Sequence, residues 1–374
     1  MFTVLSAVMF ASLLVQADEQ AWNWERLELA PGLELDLAVQ LPATGLGDTP
    51  VPVLLALPPG DQDVAMVERG LQLYWSSAAL ARGWVLVSPA APGGRSFHGD
   101  DVQILEALLD ALDARFDIAG GKPHLAGVSN GGLSALELAL RDPGRVGSLT
   151  GAPGMPPADA DPAQLARLAE LPVALFVGGA DSAWLNPMRR LRDTLSSAGA
   201  LRLSLVEFAG EGHVPESLTP ERLFQQLDAF HAHRLRRHDE ESAARRLLDD
   251  FHRAAAESDE DRYFACFAPE GVFVGTDASE RWNVSEFRTV AHPYFERGEG
   301  WTYIPIERHL RLSPRGEIAW FDERLDSPKY GEMRGTGVLR RVGDSWRVSQ
   351  YVLSFPVPNE HADELVERIA GGAR

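Results

Sequence analysis

The hydrophobic positions in the first two thirds of the chain form two alternating kinds of segment. Short apolar runs with the length of buried strands lie at residues 33–41, 53–57, 85–88, 124–128, 148–151, 173–177 and 203–208. Between them, amphipathic segments predict helices at residues 64–82, 101–116, 131–141, 162–168, 187–198 and 220–233. Strands that alternate with helices predict an α/β fold with a doubly wound, mostly parallel sheet, covered on both faces.

The last third of the chain has a different pattern. Helical segments come first, and one of them lies around residues 284–297. Long alternating segments such as "WTYIPIERHLRL" and "SWRVSQYVLSF" follow, and Gly343-Asp344 is a hairpin signal between the last two strands. Helices followed by a curved antiparallel sheet predict a smaller α+β domain.

Length and charge density suggest where these domains end. A chain of 374 residues is long enough for two domains. The segment "HAHRLRRHDEESAARR" is dense in charge, which predicts a helix end followed by a linker. We therefore predict an α/β domain at 18–236, a linker at 237–246, the smaller domain at 247–360 and a C-terminal tail at 361–374.

The first residues resemble a signal peptide, which we place at 1–17. The apolar run 2–15 is too short to span a bilayer comfortably, and "VQA" offers a cleavage site after Ala17, although no Lys or Arg precedes the run. Export to the periplasm or the exterior is expected, and a buried N-terminal segment is the alternative.

Cys266 is the single cysteine, so no intrachain disulfide can form. The net charge of −19 argues against nucleic acid or an anionic membrane surface as a partner, and no segment after the signal could span a membrane.

The segment "KPHLAGVSNGGLSALELAL" contains the pattern G-x-S-x-G between a predicted strand and a predicted helix. Such a turn holds a nucleophilic serine at the end of a strand, and here that serine is Ser129. A plain turn that uses glycine for its flexibility is the alternative. The strand–turn–helix context favours the nucleophile.

Two further strand ends carry residues that such a serine requires. Asp181 follows the strand in "LPVALFVGGADSAW", and His213 follows the last strand in "LSLVEFAGEGHVPES". Singly, the aspartate could be a helix N-cap and the histidine structural. The order Ser129, Asp181, His213 is that of a triad, in which the histidine accepts the serine proton and the aspartate orients the imidazole.

Acyl transfer also needs N–H donors for the developing oxyanion. The residue after the nucleophile, Asn130, supplies one backbone N–H. The loop "LLALPPGDQD" supplies the other, and because prolines lack an N–H, Gly60 is the first possible donor, followed by Asp61.

Residues from about 33 to 233 resemble a compact α/β-hydrolase of the esterase and dienelactone-hydrolase kind, on the basis of "GVSNGG", "VGGADSAW", "GEGHVPE" and "LPPG". The resemblance implies a serine hydrolase that needs no metal or cofactor and acts on a small-molecule acyl substrate such as an ester. The oxyanion loop lacks the His-Gly pair common in these esterases. The short stretch between residues 151 and 171 predicts no large lid, and the site rim is expected near Trp75, Phe97, His98 and Trp184.

Residues from about 242 to 358 resemble the SnoaL-like branch of the nuclear transport factor 2-like fold, through "GTDASERW", "YFERGEGW", "AWFDERLD" and "YGEMRGTGVLRR". The resemblance implies a cone-shaped domain with a pocket, and a homodimer through this domain is one assembly that it implies. The candidate pocket residues are Glu280, Trp282, His292, Glu307, His309, Asp322 and Glu323, with surface salt bridges as the alternative.

Three function classes follow from these features. The first is an exported serine esterase whose C-terminal domain helps to bind a ligand or to form a dimer. The second is a binding protein without catalytic activity, and the third is an enzyme whose chemistry lies in the SnoaL-like domain.

Overall fold

The N-terminal unit is built on one eight-stranded sheet. The computed structural model describes residues 21–372 and divides the chain into two units, Met1–Ala232 and His233–Arg374, so the predicted signal peptide at 1–17 lies outside the described residues. The strands are β1 (Asn23–Ala30), β2 (Leu33–Gln40), β3 (Val53–Leu57), β4 (Val85–Pro89), β5 (His124–Gly127), β6 (Leu149–Gly151), β7 (Val173–Gly178) and β8 (Leu203–Phe208).

The strand order of this sheet is β1-β2-β4-β3-β5-β6-β7-β8. Strands β1 and β2 pair antiparallel, as do β2 and β4, and every other pair is parallel. The mostly parallel sheet predicted from the sequence is confirmed. Strand β1 was not predicted, because its residues are mostly exposed or half-buried and form no apolar run.

Helices cover both faces of this sheet. They are α1 (Val64–Gly70), α2 (Ser76–Arg82), α3 (Val102–Arg115), α4 (Asn130–Arg141), α5 (Pro162–Arg167), α6 (Ser182–Ser197) and the first part of α7 (Pro220–Ala256), with a π-helical turn at Leu71–Trp75. In β3, Leu55 and Leu57 face one apolar core, whereas Leu54 and Ala56 face the other. A strand with apolar residues on both faces is what the continuous apolar runs predict.

Helix α6 begins five residues before its predicted start at Pro187. Pro187 is inside the helix, near its N-terminal end, where its missing N–H removes only one backbone hydrogen bond and does not end the helix.

The C-terminal unit contains a six-stranded sheet and its own helices. The strands are β9 (Phe267–Val274), β10 (Arg281–Asn283), β11 (Ile304–Leu312), β12 (Ile318–Ser327), β13 (Gly331–Val342) and β14 (Ser345–Ser354), in the order β10-β9-β14-β13-β12-β11. Helices α8 (Glu260–Ala265) and α9 (Val284–Glu296) contribute aromatic residues to the core beneath the sheet, including Tyr263, Phe264 and Phe287. The predicted α+β domain is confirmed.

Two segments differ from their predicted irregular structure. Residues 237–246, the predicted linker, are helical and lie within α7. The segment is rich in Ala, Arg and Glu, which favour helix formation, so a high density of charge in this segment is compatible with an α-helix. The predicted tail at 361–374 contains helix α10 (Ala362–Gly372). Between residues 21 and 372, no helix is both long enough and apolar enough to cross a membrane.

Candidate active site

Ser129 lies at the turn between β5 and α4, in a backbone conformation that is unusual for a residue with a side chain. Its φ is 55° and its ψ is −119°. Non-glycine residues rarely adopt positive φ, and such strain is concentrated at functional sites. The N–H of Ser129 donates to the Pro153 carbonyl at 2.9 Å, which anchors the turn to the neighbouring segment.

The glycines around Ser129 allow backbone segments to approach one another. A Cβ on Gly127 would lie 2.0 Å from the Gly131 carbonyl oxygen, and one on Gly131 would lie 2.2 Å from the Leu57 oxygen. A Cβ on Gly132 would lie 2.1 Å from the Pro153 oxygen. No side chain fits at these distances, so the spacing of glycines reflects close packing of the turn against β3 and the segment after β6.

Ser129, His213 and Asp181 form a continuous hydrogen-bonded chain. Ser129 Oγ lies 2.8 Å from His213 Nε2, and His213 Nδ1 lies 2.6 Å from Asp181 Oδ2. Asp181 is the N-cap residue of α6 by position, but its side chain makes no capping hydrogen bond. The geometry therefore supports a role for Asp181 as the partner of His213 and not as a helix cap. The Asp181 side chain is only 11% exposed, whereas that of His213 is 40% exposed.

Backbone contacts hold the two loops that carry Asp181 and His213 against each other. The Ala180 N–H donates to the Glu211 carbonyl at 2.9 Å, and a Cβ on Gly178 would lie 1.9 Å from the Gly212 oxygen. The Glu211 carboxylate accepts the Ser217 N–H, and hydrogen bonds from Ser217 lower the pKa of Glu211 below its ordinary value. These contacts fix the His213 loop close to the end of β7.

Three backbone N–H groups near Ser129 are free of hydrogen bonds to other described residues: those of Gly60, Asp61 and Asn130. Gly60 has a φ of 58°. Asn130 Nδ2 donates to the Gly60 carbonyl at 2.8 Å, so the loop after β3 and the start of α4 are in direct contact. Unpaired N–H groups on adjoining segments are what an oxyanion site requires.

The predicted rim residues divide into two pairs. Trp75 and Phe97 are buried in the core, where Trp75 packs edge-to-face against Phe224, and they do not line a rim. Trp184 and His98 are partly exposed. The Trp184 ring packs 5.2 Å from that of His213, between ring centroids, so it contacts the triad directly.

Sequence reasoning missed the structural part played by Gln62. This residue is fully buried, has a φ of 58° and makes side-chain hydrogen bonds to Pro58 in its own loop, to Ser134 on α4 and to Phe97 after β4. A glutamine in a Pro- and Gly-rich loop is typical of an exposed turn, so no signal in the pattern distinguishes it.

The seven candidate pocket residues of the C-terminal unit do not meet around one cavity. Glu323 alone among them is buried, and Trp282 packs on the edge of the aromatic core. Asp322 is exposed because neighbours on a strand point to opposite faces. Glu307 Oε1 and His309 Nε2 lie 3.0 Å apart on the exposed surface.

The remaining two candidates lie away from the sheet interior. His292 pairs with Glu260 at 2.6 Å on exposed surface, and the hydrogen bond to Glu260 raises the pKa of His292. Glu280 accepts the Asp277 N–H in the turn before β10. The salt-bridge and surface interpretation therefore describes most of these residues.

Glu323 is the centre of a buried polar network. Its carboxylate accepts hydrogen bonds from His252 Nε2 at 2.7 Å, from Arg308 Nε at 2.7 Å and from the Tyr351 hydroxyl at 2.9 Å. Burial acts to raise the pKa of Glu323, but the bonds and charges of His252 and Arg308 hold it below its ordinary value. Within the described residues, no group of three or more His, Cys, Asp or Glu side chains is arranged to hold a metal ion.

Comparisons with known proteins match the two parts of the chain separately. The sequence profile of the SnoaL-like domain matches residues 244–358. No curated protein matches the chain.

Among solved structures, a thermostable esterase is 14% identical, with a TM-score of 0.47 over 56% of this chain and 62% of that one. An S-formylglutathione hydrolase from Agrobacterium tumefaciens is 20% identical, with a TM-score of 0.44 over 57% of this chain and 94% of that one. A nuclear transport factor 2-like protein of unknown function from Pseudomonas putida is 19% identical, with a TM-score of 0.28 over 32% of this chain and 89% of that one.

The fold assignment rests on the strand order, on the turn at Ser129 and on the profile match. A mostly parallel eight-stranded sheet with a serine between a strand and a helix is the arrangement of α/β-hydrolases. This chain therefore combines a unit with the α/β-hydrolase fold and a SnoaL-like, nuclear transport factor 2-like domain.

Proposed function

We propose that the protein is a serine hydrolase that cleaves carboxylic esters or related acyl compounds. The observation that carries the proposal is the hydrogen-bonded chain from Ser129 through His213 to Asp181. A serine hydroxyl is a weak nucleophile at neutral pH, and an adjacent imidazole that accepts its proton activates it. The shielded Asp181 carboxylate is suited to stabilise the imidazolium that results.

In the proposed acylation step, Ser129 Oγ attacks the carbonyl carbon of the ester. The Ser129 proton moves to His213 Nε2 as the carbon–oxygen bond forms, and the carbonyl electron pair moves to oxygen. The resulting oxyanion accepts hydrogen bonds from the Asn130 N–H and from an N–H of the loop after β3. His213 then donates its proton to the departing alcohol, which leaves an acyl group on Ser129.

Deacylation repeats the sequence with water. His213 removes a proton from the water molecule, the hydroxide equivalent attacks the acyl carbon, and Ser129 leaves with the proton that His213 returns. The Asp181 carboxylate accepts a hydrogen bond from the Nδ1–H of His213 throughout, which keeps Nε2 directed at the reacting atoms.

The segment between β6 and β7 supports an open site. Its only helical elements are the short helix α5 and one 3-10 turn, Leu168–Glu170. We therefore propose a shallow site without a large lid, as expected from the sequence. We further propose that the C-terminal domain assists by ligand binding or dimerisation and not by catalysis of its own, because its candidate polar residues are dispersed and form no catalytic group. The homodimer stays a prediction.

Labelling with a fluorophosphonate probe tests the proposal, together with turnover of a p-nitrophenyl ester. Ser129→Ala should abolish labelling and reduce kcat by several orders of magnitude, roughly 10⁴-fold or more, since the nucleophile is lost. Ser197→Ala, at an exposed serine on α6, is the matched control and should retain both. Full ester turnover by pure Ser129→Ala protein would exclude the proposed nucleophile.

A further inference from the structure

Residues 59–62, which we name the oxyanion turn, form a tight turn directly after β3. The Gln62 N–H donates to the Pro59 carbonyl at 3.1 Å and closes the turn. Both Gly60 and Gln62 have a φ of 58°. Glycine adopts this conformation without a steric penalty, but glutamine does not, so the turn persists because its surroundings hold Gln62 in place.

Hydrogen bonds from the side chain and the main-chain carbonyl of Gln62 hold this residue in place. Its side chain has no exposed surface, and its Nε2 donates to the Pro58 carbonyl at 3.3 Å and to Ser134 Oγ at 3.0 Å. Its Oε1 accepts the Phe97 N–H at 2.8 Å, and its main-chain carbonyl accepts the Ala91 N–H at 2.7 Å. Gln62 thus connects the oxyanion turn to helix α4 and to the segment after β4.

The side chain of Asn130 makes a second connection, from the residue that follows the nucleophile. Its Nδ2 donates to the Gly60 carbonyl at 2.8 Å, and its main-chain carbonyl accepts the Ser134 hydroxyl at 3.1 Å. The Gly60 carbonyl and the Asp61 N–H belong to one peptide unit, and in a trans peptide these two groups point in opposite directions. The Asn130 amide therefore fixes the direction of the Asp61 N–H.

We infer that Asn130 and Gln62 are positioning residues, whose side chains hold the oxyanion turn so that the Asp61 N–H is the second oxyanion donor. This inference rests on the proposed function. The sequence had indicated the Gly60 N–H as the first candidate donor, and the inference replaces it with the Asp61 N–H. The Asn130 amide holds the Gly60 carbonyl, and the Asp61 N–H belongs to the same peptide unit, so this hydrogen bond sets its direction. Asn130 then acts twice, through its own N–H and through its amide.

The test uses Asn130→Ala, which keeps the Asn130 backbone N–H and removes only the bond to the Gly60 carbonyl. Loss of this anchor should lower kcat for a p-nitrophenyl ester by roughly 10- to 100-fold and leave KM nearly unchanged, because a misdirected donor weakens transition-state binding alone. An aryl boronic acid provides a second readout, since its tetrahedral adduct with Ser129 places an oxygen in the oxyanion position. The affinity for this boronic acid should fall by a factor similar to that of kcat.

Two further variants separate positioning from general stability. Asn186→Ala removes an exposed amide on α6 and should leave kcat, KM and boronic acid affinity as in the unmodified protein. Gln62→Met keeps the side-chain length and loses the bonds to Pro58, Ser134 and Phe97. It should reproduce the fall in kcat and in boronic acid affinity, with the thermal midpoint of each variant measured alongside.

The outcomes distinguish this inference from the proposed function. If Ser129→Ala is inactive but Asn130→Ala and Gln62→Met keep full kcat and boronic acid affinity, the positioning roles are wrong and the triad stands. A lowered thermal midpoint with unchanged kcat and affinity in the folded fraction would show that the bonds are only structural. If Ser129→Ala remains active, the proposed function itself fails.

Discussion

His213 and Asp181 are joined by a hydrogen bond of 2.6 Å between Nδ1 and Oδ2, although the two side chains differ in exposure. The Asp181 side chain is largely buried at the start of α6, and the partly exposed imidazole lies between Asp181 and Ser129. The bond leaves Nε2 free to face Ser129. A shielded acceptor behind an accessible imidazole is the relationship that a general base requires.

Replacing Asp181 by Asn should therefore impair the reaction without removing the nucleophile. The amide no longer holds the Nδ1 proton of His213 in place, so the imidazole presents the wrong tautomer to Ser129. We expect kcat for a p-nitrophenyl ester to fall about 10⁴-fold. The rate of fluorophosphonate labelling should decrease strongly while Ser129 remains the labelled residue, which peptide mass spectrometry would establish.

Asp159→Asn provides the control, because Asp159 is exposed and makes no hydrogen bond to another described residue. Its kcat should match that of the unmodified protein. Labelling of Asp181→Asn at the original rate would mean that Asp181 does not orient His213 in the reaction.

Gly178 is predicted to be necessary for activity although it has no side chain. A Cβ at this position would lie 1.9 Å from the carbonyl oxygen of Gly212, the residue before His213. Gly178→Ala should displace the loop and move the imidazole relative to Ser129, and a shift of about 1 Å can cost roughly 100-fold in kcat. Gly47→Ala is the control, since no atom lies within 4 Å of its Cβ position, and it should retain full kcat. Equal activity of the two variants would contradict the tight loop packing.

The local features of the site were predictable from sequence, and the long-range ones were not. Ser129, Asp181 and His213 could be proposed because each lies in the loop that follows a strand, and the carboxyl ends of parallel strands meet at one edge of a sheet. The burial and strained φ of Gln62 depend on Ser134, 72 residues away, and no local pattern records such a contact. Charge density in residues 237–246 predicted a linker, whereas the helix propensity of the same residues determined their structure.

Glu323 should make a large contribution to the stability of the C-terminal domain. It is buried and accepts three hydrogen bonds, so Glu323→Gln leaves the Arg308 guanidinium without its buried carboxylate. Removing one partner of a buried ion pair costs about 3 kcal/mol or more, which corresponds to a roughly 100-fold larger open population.

The labelling rate of the Cys266 thiol reports on the opening of the C-terminal unit within the full chain. Cys266 is the only thiol, its side chain is buried in the core of the C-terminal unit, and burial raises its pKa to about 12. It should react with 4,4′-dithiodipyridine only when that unit opens, and Glu323→Gln should therefore accelerate the reaction at neutral pH about 100-fold. Glu307→Gln, at an exposed carboxylate of the neighbouring strand, should change the rate little. Equal rates in the two variants would show that the Glu323 network contributes no net stability.

The same probe tests how the network responds to pH. The pKa of Glu323 in the folded chain lies below its ordinary value of 4.5, so its contribution to stability is present above that value and is lost as the pH falls through the folded pKa. The Cys266 labelling rate of the unmodified chain should therefore increase toward acid pH relative to that of Glu323→Gln, which has no carboxylate to protonate at this position and shares the same intrinsic pH dependence of the thiol. The ratio of the two rates should be largest near neutral pH and should narrow below pH 4.5. A ratio that stays constant from pH 7 to pH 3 would mean that protonation of Glu323 is not coupled to unfolding of this domain.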